Sequence, residues 1–192
     1  EVLERLVRTQ LTDALDSDGA SSTLIEWLAE YPATHITLEL IESTLISAAR
    51  YEDLVAILSQ HAALNRSPEQ RTEYLYREAI VRAENLHDHE TANALMREIL
   101  DERPDHLGAL GFLSHHFVHS QQWSEANQML ERLVRICDQT SEPVPTDVLS
   151  DSLDALAVTR EQLGHDDRAV QAWERLLELQ QGSSRALINL GR

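Results

Sequence analysis

Residues 105–138 carry two apolar stripes at helical spacing, separated by a short polar break. Leu110, Leu113 and Phe117 form the first stripe, and Ala126, Met129, Leu130 and Leu133 the second. The stretch from His119 to Trp123 is too short and too polar to be an element of its own. The segment therefore predicts two antiparallel helices joined by a tight turn. The same alternation extends in both directions. Val2, Leu3, Leu6, Val7, Leu11, Ala14 and Leu15 mark a helix over residues 1–16. Polar residues 16–22 predict a turn with Ser21 or Ser22 as N-cap, and Leu24, Ile25, Trp27 and Leu28 a short helix that Pro32 ends. Residues 34–41 alternate as a strand would. Leu38, Ile41, Leu45 and Ala48, however, continue the 3.6-residue period past strand length, so a helix is expected. Tyr51 opens its partner, with Leu54, Ile57 and Leu58 inward. Ser67 and Pro68 read as an N-cap followed by proline in the first helical turn. Tyr76, Ala79, Ile80 and Ala83 then face inward, residues 85–89 turn, and Ala92, Leu95, Met96 and Ile99 form the returning helix. After a Pro-containing loop, Leu153, Leu156, Ala157, Ala169, Trp173 and Leu176 restate the pattern.

Leu110-x2-Leu113-Ser114-x2-Phe117, followed by Ala126-x3-Leu130 and preceded by Pro104, resembles a tetratricopeptide repeat. Ser114 stands where the family usually has glycine, and its small side chain meets the same demand for close helix approach. Ala92 precedes Ala126 by 34 residues, as Met96 precedes Leu130, which is the family's period. Ala169 follows Ala126 by 43 because residues 138–146 are inserted, and Leu187, Leu190 and Gly191 open a further unit. The expected units are 1–34, 35–72, 73–106, 107–149, 150–183 and a partial 184–192. The resemblance implies an all-α fold, a right-handed α-solenoid of stacked antiparallel hairpins sharing one core and enclosing a concave groove. A HEAT-like solenoid is the alternative, favoured by the 43-residue interval and disfavoured by the repeated 34s. The start at Glu1 rather than Met, and the half-repeat at the other end, lead us to expect more repeats or another domain beyond these residues.

Composition narrows the function. The chain has 192 residues, a net charge of −17 and no lysine among its 16 basic residues. Such an excess of carboxylates opposes nucleic acid or an anionic membrane surface as partner, because both need cations to neutralise phosphate. The single Cys137 rules out an internal disulfide and fits a reducing, cytoplasmic setting. No apolar run approaches the ~20 residues a membrane helix needs. Trp27, Trp123 and Trp173 read as wedges between helices, and Cys137 as a small apolar group.

No G-x-S-x-G, P-loop or G-x-G-x-x-G occurs, so no catalytic residue and no cofactor is expected. His115 and His119 have the i,i+4 spacing of two zinc ligands, and His87, His89 and Glu90 cluster in a turn. Without a following Glu or a fixed third ligand these read as polar residues of a groove or a solvated turn, and no metal is expected. In the family's register the groove is lined by Tyr74, Arg77, Val81, Glu84 and Asn85. Gly108, Gly111, His115, Val118 and His119 follow, and then Asp151, Asp154, Val158, Glu161 and Gln162. That face is acidic and His-containing, with Gly108 and Gly111 leaving room for a ligand. It favours a basic or amphipathic protein or peptide partner. It lacks the cationic set by which some tetratricopeptide domains clamp acidic chaperone tails. The expected function is a non-catalytic interaction scaffold. The alternative is a regulatory or substrate-recruiting segment of a larger enzyme, and self-association through open solenoid ends is a further expectation.

Overall fold

The computed structural model describes residues 38–65, 67–140 and 145–179, together with Gly19, Ser22 and Thr23. The helices expected over residues 1–16 and 24–31, with Trp27, and the partial unit 184–192 lie outside the described residues. Gly19, Ser22 and Thr23 are helical, and the Thr23 hydroxyl donates to the Gly19 carbonyl at 2.8 Å. Ser22 is therefore helical rather than an N-cap, and Ser21, the other expected cap, lies outside the described residues.

Among the described residues from 38 onward there are eight helices: α1 (Leu38–Ser47), α2 (Tyr51–Leu64), α3 (Pro68–Glu84), α4 (His89–Glu102), α5 (Leu107–His119), α6 (Trp123–Gln139), α7 (Thr146–Gln162) and α8 (Asp166–Leu179). No strand occurs among the described residues, and the alternating residues 38–41 are helical. The connection after α6 is shorter than the expected 138–146 loop, since Asp138, Gln139 and Thr146 are all helical. An ion pair from Arg175 on α8 to Asp138 holds the last turn of α6 in place, and the Thr140 N–H closes it on the Ile136 carbonyl.

The chain divides into two compact units, Glu1–Leu95 and Met96–Arg192. In the first, α2 packs against α1 and α3. Leu45, Leu54, Leu58 and Ala79 are completely buried there, each large side chain contributing about 1.5–3 kcal/mol of transfer free energy. A buried carboxylate, Glu78, sits among them and is compensated at both oxygens. The Ser59 hydroxyl donates to it at 2.6 Å, and the Arg82 guanidinium pairs with it at 2.8 Å. Arg82 also reaches Asp88 at 3.3 Å, and Asp88 accepts the Thr91 N–H at 3.1 Å, capping α4. Those Thr91 hydrogen bonds hold the Asp88 carboxyl below its ordinary range. Ser67 occupies the N-cap of α3 as expected, with Pro68 next, but its hydroxyl donates to the Glu69 carboxylate rather than serving a backbone acceptor role.

In the second unit α6 packs against α5 and α7, and α7 against α8. Leu130, Val134, Leu153, Leu156, Ala157, Ala172, Trp173 and Leu176 form a core cluster there. Trp173 is 1% exposed and donates its indole N–H to Glu161 at 3.1 Å, whereas Trp123 is half-buried at the start of α6. Ala92, Ala126 and Ala169 are buried to within 1% of completely, as tight helix crossings require.

The turns within the helix pairs share one backbone device. Ala49, His87, Gln121 and Gly164 all have positive φ, between 52° and 71°. In three of them the following N–H reaches back five residues: Arg50 to Leu45, Gln122 to Phe117, and His165 to Arg160. This is a Schellman-type stop, which satisfies carbonyls the helix end would otherwise orphan. Of the four residues at the left-handed position, only Gly164 adopts it without steric cost.

Candidate binding cleft

The second unit contains an open cleft of about 530 Å3 between α5, α6 and α7. Helix α5 begins where the His106 side chain, at its N-cap, accepts the Ala109 N–H at 3.1 Å. That start sets Leu107, Gly108 and Gly111 along one wall. Leu130 and Leu133 of α6, each 2% exposed, contribute apolar surface from below. Val148, Asp151 and Ala155 of α7 form the opposite wall at i, i+3 and i+7 spacing, and Pro145 stands at its N-terminal end. A Cβ added at Gly111 would meet the Leu133 Cδ1 at 3.8 Å, an ordinary contact. Glycine at this position therefore keeps open a space that packing does not require to be open.

The walls are more apolar than the acidic groove expected from residue types alone. Two serines that line the cleft turn their hydroxyls into the helices: Ser114 donates to the Gly111 carbonyl at 2.8 Å, and Ser152 to the Val148 carbonyl at 2.6 Å. Of the residues lining the cleft, Asp151 and His115 are the ones that titrate, and both are exposed. The ring nitrogens Nε2 of His115 and His119 lie 3.0 Å apart, with ring centroids at 4.2 Å. Burial, then the neighbouring His119 and His116, lowers the His115 pKa below the ordinary imidazole value.

The expected groove residues distribute unevenly. Gly108, Gly111, His115, Val118 and Asp151 come together around the cleft, with His119 beside His115 on the same helix. Asp154 is half-buried on α7 and Val158 packs against the core cluster. Glu161 is exposed and accepts the Trp173 indole N–H, and Gln162 is exposed at the end of α7. The remaining five belong to the first unit. Tyr74 stacks on His61 with ring centroids 5.4 Å apart, and Arg77 pairs with Glu42 at 2.6 Å and Glu73 at 2.7 Å. Val81 is buried, and only Glu84 and Asn85 are exposed. Leu107, Ser114, Leu130, Leu133, Pro145, Val148, Ser152 and Ala155 were not anticipated as cleft residues. The two leucines read as core from their stripe, and Val148 and Ala155 are identified only by sharing the face of Asp151. Among the described residues, no group of three or more His, Cys, Asp or Glu side chains is placed to hold a metal ion.

Residues 86–142 match the tetratricopeptide repeat family model. No curated protein matches the sequence. A crystal structure of MamA protein is similar at a TM-score of 0.65 and 15% identity, covering 96% of this chain and 93% of that one. BtubC (BKLC) from P. vanneervenii is similar at a TM-score of 0.62 and 15% identity, over 97% of this chain and 80% of its own. The N-terminal domain of stress-induced protein-1 (STI-1) from C. elegans is similar at 0.56 and 12% identity, over 66% of this chain and 97% of its own. At these identities the likeness is one of fold, and its class is the all-α solenoid of helical hairpins. The matched residues run from the turn before α4 to the connection after α6, the stretch in which the 34-residue spacing of alanines is found. Residues 86–142 thus carry a tetratricopeptide repeat, and the wider likeness is to the helical-hairpin fold of such proteins.

Proposed function

We propose that this chain is a non-catalytic interaction scaffold whose second unit holds a segment of a partner protein in the cleft between α5 and α7. The observation that carries this reading is the cleft itself: about 530 Å3, walled by leucine, valine, alanine, proline and glycine, with one carboxylate, Asp151, at an exposed position on its wall. Such a site takes a bulky apolar side chain and rewards a neighbouring cation. An amphipathic segment with Arg or Lys beside Leu or Phe has that chemistry. The net charge of −17 adds long-range attraction for a basic partner and repels polyanions. The described residues contain no helix long and apolar enough to cross a membrane.

The test is selection from a displayed peptide library, followed by fluorescence anisotropy with the selected peptides. The expected binders pair a large apolar residue with a cation. Gly111→Leu, which fills the cleft, and Asp151→Arg, which reverses its charge, should each weaken them about tenfold or more, about 1.4 kcal/mol. Binders indifferent to both substitutions, in variants with unchanged circular dichroism, would place recognition on another surface and refute the reading.

A further inference from the structure

We propose that His115 and His119 form a two-nitrogen site for a divalent transition-metal ion on the exposed face of α5, at the lip of the cleft. The inference stands apart from the peptide-binding reading and rests on geometry. Residues four apart on a helix lie one above the other on the same face, so both imidazoles rise from one surface. Here they converge through the same ring atom, Nε2 to Nε2, at 3.0 Å. Zinc and copper hold imidazole nitrogens at about 2.0–2.1 Å. Bond angles between square and tetrahedral therefore separate two such nitrogens by about 2.8–3.4 Å. The observed separation lies within that window. The pair has the spacing of a chelate before any ion arrives, so little side-chain entropy remains to be lost on binding.

The surroundings agree. Both histidines are exposed, so an ion reaches them without opening the fold. Imidazole nitrogen selects copper, nickel or zinc over magnesium or calcium, which take oxygen ligands. His116, between the two, lies edge-on to the Phe117 ring at 5.7 Å and does not belong to the pair. Binding needs both Nε2 lone pairs, so each ring carries its proton on Nδ1 in the loaded state. With two protein ligands, the other coordination positions stay open to water or to a donor brought by a bound partner. His115 belongs to the cleft lining as well, so an ion held there is presented to whatever the cleft receives.

The test is a titration of the metal-stripped protein with Cu2+ and Zn2+. Isothermal calorimetry gives the affinity, and two-dimensional 1H–15N correlation of the imidazole nitrogens gives the location. The expected result is one ion per chain, with the Nε2 resonances of His115 and His119 shifted by Zn2+, both rings then in the Nδ1–H form, and selectively broadened by paramagnetic Cu2+. His115→Gln and His119→Gln should each weaken binding on the order of tenfold or more, since one ligand of two is lost. His116→Gln and the doubly substituted His87→Gln/His89→Gln protein should bind as the unsubstituted protein does. Equal affinity in the unsubstituted protein and in the His115→Gln/His119→Gln double variant would overturn the proposal. So would shifts confined to other histidines. A wild-type spectrum showing one Nε2–H donating to the other Nε2, unchanged by either metal, would identify the pair as a hydrogen bond and nothing more.

Discussion

Replacing Gly111 with alanine should stabilise the protein while narrowing the cleft. Gly111 is the fifth residue of the thirteen-residue helix α5, well inside its ends. Its φ lies outside the left-handed region, so the backbone does not require glycine. The added Cβ meets its nearest neighbour, the Leu133 Cδ1, at 3.8 Å, so no atom has to move. What remains is the backbone entropy that glycine loses on folding, which costs about 0.5–1 kcal/mol relative to alanine inside a helix. For a chain of this length that gain corresponds to a rise of about 1–4 °C in the melting midpoint. Thermal and urea unfolding followed by circular dichroism at 222 nm would measure it, with the urea slope checked for constancy between the two proteins. A lower midpoint in Gly111→Ala would refute the reasoning, because it would mean that the glycine is needed for packing. A raised midpoint together with weakened binding of the selected peptides would separate the two demands on this position. The fold prefers alanine there, and the cleft prefers nothing.

The turns make a paired prediction. Gly164→Ala should destabilise by about 1–2 kcal/mol, since its φ of 71° is costly for a residue with a Cβ, whereas Gln121→Gly should stabilise by up to about 1 kcal/mol at φ 58°. Unfolding midpoints that move in the same direction for both would contradict the shared-device reading. Ala126→Leu should overpack a fully buried position on α6 and cost about 1–3 kcal/mol, seen as a lower urea midpoint; an unchanged midpoint would show slack around it. Binding of a basic peptide should depend on pH through His115. Burial and its histidine neighbours lower its pKa, so the ring is neutral at and above the ordinary imidazole value and gains charge only below it. Affinity for a cation should therefore be flat from about pH 8 to 6.5 and fall toward pH 5.5, because a protonated His115 repels the ligand. An affinity constant across that range, measured by anisotropy, would remove His115 from the recognition surface.

The sequence by itself determined the described helices, their order and the tetratricopeptide repeat carried by residues 86–142. A 3.6-residue period records which face each helix buries. Positions such as Ala92, Ala126 and Ala169 are visible because a helix crossing accepts nothing larger, and that local rule holds whatever lies opposite. It also placed Gly108, Gly111, His115 and Asp151 on a common surface, because the repeat register fixes their faces. Tertiary structure decided the rest. Leu130 and Leu133 are core by periodicity, and only the separation of α5 from α7 makes them part of a cleft. Arg77 reads as a groove cation, yet Glu42, 35 residues away, occupies it. Ser114 reads as a small residue at a helix approach and Ser152 carries no signal, yet both line the cleft with each hydroxyl satisfied by its own helix, which leaves the walls apolar. The left-handed turn residues Ala49, His87 and Gln121 carry no glycine signal, because their strain is offset by the packing of the helices they join. Periodicity reports burial along one helix. Pairing, strain and open space depend on what a second helix brings to the same place, and that information is not local in the chain.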